Sequence, residues 1–203
     1  LHCIKDIRLF EGFAGAYVIP GTYQVHISIG DTEDTVTLTL FADRRIETDS
    51  HETIEVEQKI QEVTSLINEL LNALTAIRKS RAQIEALMTD FPDSESLQNT
   101  GRRAIERLSI WEEKTVQVEF ETYEDEDNLP GKLVKQVRHL LDVIDDAGPP
   151  IAAGALERLR DLKGEWTNLQ TELREISASD IAAINNWAST NTVPHISPPT
   201  AWH

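Results

Sequence analysis

The chain has 203 residues, 40% of them hydrophobic, enough for one large or two small packed domains and too much for a disordered chain. Its 35 acidic residues outweigh 19 basic ones, leaving a formal net charge of −16. Duplex nucleic acid and anionic membrane surfaces would therefore be repelled from most faces, and no nucleic acid is expected as a partner.

A single cysteine, Cys3, excludes an internal disulfide and any multi-cysteine metal site, and it leaves the compartment open. The apolar runs are far shorter than the roughly 20 residues a membrane helix needs, so no transmembrane segment is expected. Leu1 stands where an initiator Met would, and strand-like sequence follows almost at once. This is expected of a piece of a longer chain.

Residues 3–10 read as a strand, and Gly12, Gly15, Pro20 and Gly21 punctuate the loop after it. Tyr23, Val25, Ile27 and Ile29 then alternate with Gln24, His26 and Ser28, and Val36, Leu38 and Leu40 alternate with Thr35, Thr37 and Thr39. The period of two predicts a hairpin of strands 22–29 and 35–42 with one apolar face, turning around residues 30–34. Three strands are too few to close a sandwich or barrel, so that face needs cover from the helices, from further strands or from a neighbouring chain.

Near Thr48 the period changes. Val56, Ile60, Val63, Ile67, Leu70, Leu74, Ile77, Ile84 and Leu87/Met88 climb a four-three ladder with one rung missing at Arg81. This predicts a helix over about 50–90, capped near Asp49 or Ser50 and stopped by Phe91-Pro92-Asp93. Arg81 on the seam is expected to snorkel or to pair with a carboxylate of a neighbouring helix. Asp93 or Ser94 should cap a second helix over 94–120, whose seam of Leu97, Gly101, Ala104, Leu108, Trp111, Thr115 and Val118 carries small residues suited to a close crossing. An acidic, aperiodic stretch precedes Pro130, which can open a third helix over 130–147. Leu159, Leu162, Trp166, Leu169, Leu173 and Ile176 mark a fourth over 151–177, with a short helical turn from Asp180 to Ala188 behind it. Pro194, Pro198 and Pro199 make the end read as a tail.

The expected fold is therefore α+β and mostly α: a small antiparallel sheet, of partial immunoglobulin-like character, followed by an antiparallel bundle of about four helices. The organisation is a β module at 1–47, a helical bundle at 48–189 and a Pro-rich tail at 190–203. Core packing accounts for nearly all the seam residues. The competing reading is an intermolecular coiled coil on the long first helix.

The order of parts carries a resemblance. Val18-Ile19-Pro20-Gly21-Thr22-Tyr23-Gln24-Val25, the strand ending at Ala42-Asp43-Arg44-Arg45, and the helix bearing Ala76-Ile77-Arg78-Lys79-Ser80-Arg81-Ala82-Gln83-Ile84 resemble the region after the β-propeller in bacterial BNR-repeat, sortilin-like "glycosyl hydrolase" proteins. Asn128-Leu129-Pro130-Gly131-Lys132-Leu133, Ala147-Gly148-Pro149-Pro150 and Leu169 to Ile176 resemble that family's closing helices. The resemblance implies a C-terminal accessory module, an extracytoplasmic location, and the propeller or another protein as partner. The family's Asp-box, Ser-x-Asp-x-Gly-x-Thr-Trp, does not occur in the chain, so no catalytic residue carries over. The alternative implied is a subdomain of a glycoside hydrolase whose site lies in the propeller.

Individual constellations point the same way. His51-Glu52-Thr53-Ile54-Glu55 opens like a zinc-protease helix but has Glu55 where the second ligand His belongs, so it reads as carboxylates favouring a helix start. Glu121, Glu124, Asp125, Glu126 and Asp127 lack the glycine of a calcium loop and read as a solvated loop, with a weak cation site or a contact for a basic partner as the functional reading. His2, His26, His51, His139, His195 and His203 show no ligand spacing and are expected at the surface. Trp111 and Trp166 lie on apolar seams and are expected in the core, Trp187 and Trp202 being the other tryptophans a carbohydrate platform would need. No catalytic, cofactor-binding or metal-ligating residue is nominated. Self-association of the apolar strand face or its open edge is expected where nothing covers it.

Overall fold

The computed structural model describes residues 18–42, 50–119 and 128–200. The protein is α+β and mostly helical, with one two-stranded antiparallel sheet and a helical bundle. Strands β1 (Gly21–Ile29) and β2 (Thr32–Leu40) pair in a register that sets Tyr23 opposite Leu38 and Val25 opposite Val36. The turn is only two residues, Gly30-Asp31, with Gly30 at φ 60°, the first central position where hairpin turns of the II′ kind take glycine. β2 thus starts three residues earlier than the alternation of Thr35 to Leu40 suggests. Glu33 and Asp34 are poor strand formers that pair because the tight turn fixes the register. The expected strand at 3–10 lies outside the described residues.

Helix α1 (Ser50–Asp90) runs unbroken, as a stretch of 41 residues without Gly or Pro allows. Every rung of its ladder from Val56 to Ile84 is buried, and Leu66, Leu71 and Ala73 widen the stripe at mid-helix, where it meets neighbours on more than one side. Helix α2 (Glu95–Thr115) packs back on its C-terminal half. Ser94 stands at the N-cap, but its side chain makes no capping hydrogen bond. The amide of Gln98 instead donates to the carbonyls of Met88 (2.7 Å) and Phe91 (3.3 Å), closing the end of α1. Gly101 permits the close crossing: a Cβ there would lie 2.4 Å from Met88 Sδ and 3.2 Å from Ile84 Cγ2.

Two expected boundaries move. α2 ends at Thr115 rather than near 120, because Val116 turns extended (φ −130°, ψ 151°) and buries its side chain, leaving Val118 at the surface. Helix α3 (Leu133–Ala147) starts three residues after Pro130, with Lys132 at its N-cap. Helix α4 (Ala153–Ile176) then passes through a π-helical turn (Ser177–Ile181) into α5 (Ala182–Asn191), forming one long column.

Contacts define the bundle's directions. Arg78 and Arg81 meet Glu112 while Ile84 and Met88 meet Gly101, so α1 and α2 are antiparallel. Trp111 reaches Leu169 and Arg107 reaches Asp180, so α2 and α4 are antiparallel as well. Glu62 meets Lys163 and Glu69 meets Trp166, which sets α1 and α4 parallel. α3 returns to α4 through Gly148–Ala152, Gln136 meeting Arg158, and also packs on α1. α2 and α3 therefore run in the same direction, end to end along α1, and the four helices build three columns: α1, α2 with α3, and α4 with its extension. Trp111 (fully buried) and Trp166 meet edge to face at 6.2 Å where the three columns join, as their seam positions predict.

The end of the chain is more than a tail. Thr192 adopts a left-handed conformation (φ 60°) and turns residues 193–200 back over α5 and α1. Asn185 accepts from the Ile196 amide (2.7 Å) and donates to its carbonyl (3.1 Å), pairing with it as a strand would. Ser197 closes the clasp, its amide donating to Gln83 (2.9 Å) and its carbonyl lying 2.7 Å from the hydroxyl of buried Ser80. Ile196 is driven into the core.

Candidate functional site

An uncovered apolar surface follows directly from the hairpin register. Tyr23, Val25, Ile27 and Ile29 of β1 share a face with Val36, Leu38 and Leu40 of β2, and at its turn end with Asp34 and Thr32, while the opposite face carries Thr22, Gln24, His26, Ser28, Glu33, Thr35, Thr37 and Thr39. On the polar face the His26 ring lies 2.9 Å from the Thr35 hydroxyl. On the apolar face Val25, Ile27, Val36 and Leu38 are each 40–49% exposed and Ile29 is 77% exposed. Among the described residues no helix packs on the hairpin. Of the covers anticipated for this face, the described helices therefore supply none, and a two-stranded sheet with a bare apolar face gains little stability by itself.

Two polar clusters sit within the bundle instead. Glu112, 5% exposed, receives Arg78 Nε at 2.7 Å on one oxygen and Arg81 Nη1 at 2.9 Å on the other, with Ser109 also bonded to Arg81. The missing rung at Arg81 is thus an ion pair to a neighbouring helix. A groove of about 540 Å³ opens beside it. Asp180, 1% exposed, takes Arg103 at 2.6 Å and Arg107 at 2.5 Å, and tethers the π turn to α2. Both carboxylates have both oxygens committed to guanidiniums, which makes them ties between columns rather than acid–base groups.

The residues weighed from sequence do not converge. His51 lies exposed in the first turn of α1, His139 on α3 and His195 beside Ser189 (2.7 Å), far apart in the fold. Among the described residues no group of three or more His, Cys, Asp or Glu is placed to hold a metal ion, and no helix is long and apolar enough to cross a membrane. His2, His203, Trp202 and the acidic run 121–127 lie outside the described residues. Trp187 packs edge to face on Phe91 at 5.1 Å, which places it in the α5 contact rather than on a platform. Glu112, Asp180 and Asn185 carry no motif or spacing in the sequence that marks them as ties. Only the gap at Arg81 signalled a buried carboxylate opposite.

The chain matches no family model, no curated protein and no solved structure.

Proposed function

We propose that this chain is a non-catalytic accessory and interaction module, in which the helical columns act as a stiff spacer and the β1–β2 hairpin docks on a neighbouring β domain. The resemblance to the region after the propeller in BNR-repeat, sortilin-like proteins makes a propeller that neighbour. The observation that carries the reading is the contrast between the two parts. The bundle buries its seams and, among the described residues, leaves no buried side-chain polar atom unpaired, whereas the hairpin presents a bare apolar face with an all-polar reverse. A surface of that kind is an interface.

The test is photocrosslinking in the native full-length protein with a photoreactive residue at Val36, mapped by mass spectrometry. Crosslinks to a β domain, lost when Val25 and Leu38 are both changed to Lys, support the reading. Crosslinks confined to helices α1–α5 would overturn it.

A further inference from the structure

We propose that the groove under the clasp, between α1 and α5, is a binding site for an extended peptide segment of a partner protein, kept closed by the chain's own residues 193–200. The chemistry of that partner is read from the segment now filling the groove. Ile196 is 2% exposed and Pro199, three positions on, is buried as well, while Pro194, His195 and Pro198 face solvent. All four main-chain polar groups of Ile196 and Ser197 are met by side chains. Asn185 of α5 takes both groups of Ile196 (2.7 and 3.1 Å), and Gln83 (2.9 Å) and Ser80 (2.7 Å) of α1 take those of Ser197. Main-chain bonds that hold any extended backbone, combined with pockets for alternate anchors, are how peptide-binding surfaces work. The occupant that fits is an extended segment with an aliphatic residue followed three places later by proline.

The strap can lift without stranding a buried polar group. Ser80, fully buried, has a second acceptor in the Ala76 carbonyl (2.9 Å) and keeps it when Ser197 leaves. Gln83 and Asn185 are half-buried and reach water once the segment is gone. The hinge is Thr192, a β-branched residue held in the left-handed region (φ 60°, ψ 39°), so opening relieves backbone strain. Beyond it the strap is tied to α5 by the Val193 amide on the Ala188 carbonyl (3.0 Å) and by the His195 ring beside the Ser189 hydroxyl (2.7 Å). Release therefore costs mainly the burial of Ile196 and Pro199, a local opening rather than unfolding of the bundle. A partner segment with the same anchors restores that burial and so competes with the strap.

The experiment is fluorescence anisotropy with a labelled synthetic peptide copying residues 193–200, titrated with the full chain and with its Ile196→Asp variant, whose strap cannot reseat. Expected is saturable binding to the variant, about tenfold or more tighter than to the parent chain, where the tethered strap competes. In the same background Asn185→Ala should weaken binding about tenfold, and a peptide carrying Asp in place of its isoleucine should not bind. No saturable binding, or equal binding of the two peptides, would overturn the proposal. Should thermal unfolding show that Ile196→Asp does not fold, amide hydrogen exchange of the parent chain decides. The Ile196 and Ser197 amides should then exchange by local opening, faster than that of Ile77, and equal protection of all three would overturn the proposal. Dimers of the Val25→Lys/Leu38→Lys chain that the free peptide dissolves would assign the groove to the strap of a second copy and overturn the partner reading.

Discussion

At the scale of single residues, the two buried carboxylates differ from their partners in how much water they see. Asp180 is 1% exposed, whereas Arg103 and Arg107 are 60% and 37% exposed. Removing the arginines strands a buried charge, while removing the carboxylate frees two side chains that can turn to solvent. Arg103→Gln with Arg107→Gln should therefore cost about 3–5 kcal/mol, and Asp180→Asn less, measured by urea unfolding. The reverse order would show that Asp180 is not desolvated. At Glu62 the balance is milder. Hydrogen bonds from Lys163 and then Lys59 hold its carboxyl below the usual value near 4.5. Because the folded value is depressed, the stability this group adds is complete above the unfolded value and is lost as pH falls through the folded one. All three side chains are partly exposed, so the contribution is about 0.2–1 kcal/mol. Lys163→Gln should flatten that part of the stability profile as pH falls below the unfolded value near 4.5. An unchanged acid limb would mean that the Glu62 pair is not formed in solution.

At the scale of elements, the first helix was legible because its apolar spacing is local and unbroken by Gly or Pro. Its rungs Leu70 and Ile77 are both fully buried. Replacing either with Asp should cost more than about 4 kcal/mol, since an unpaired carboxylate would replace an apolar contact. Denaturation midpoints matching the parent chain would instead place the seam at the surface, as an intermolecular coiled coil would have it. The end of α2 was less legible, because Val118 continues the seam spacing and only the extended backbone at Val116 breaks it. Nor does spacing reveal that α2 and α3 share one column, since direction is set by which long-range partners meet. In sequence the clasp reads as a tail because its prolines suppress helical pattern, while the anchors that hold it, Asn185, Gln83 and Ser80, lie 11 to 117 residues away. Asn185→Ala should remove both bonds to Ile196 and cost about 1–3 kcal/mol, the penalty of unsatisfied backbone groups. It should also speed proteolysis beyond Asn191, and an unchanged cleavage rate would show that Asn185 does not hold the clasp.

At the scale of the molecule, the asymmetry between a saturated bundle and an unsaturated hairpin sets the behaviour of the chain on its own. The bundle has its ionic ties, its tryptophan junction and its clasp turned inward. The hairpin has seven apolar side chains in register on one face and makes no close contact with any described helix. On the proposed reading, a chain without its docking partner should lower its exposed apolar area by bringing that face onto a second copy, each methylene removed from water contributing about 0.8 kcal/mol. Sedimentation of the isolated chain should thus show concentration-dependent association. Val25→Lys with Leu38→Lys should abolish it, because like charges would then crowd the same face of the hairpin. The same pair of substitutions should leave thermal unfolding of the helices unchanged. A chain that stays monomeric at high micromolar concentration would show that this face is covered from within, and a fall in helical stability in the double variant would show that the bundle is what covers it.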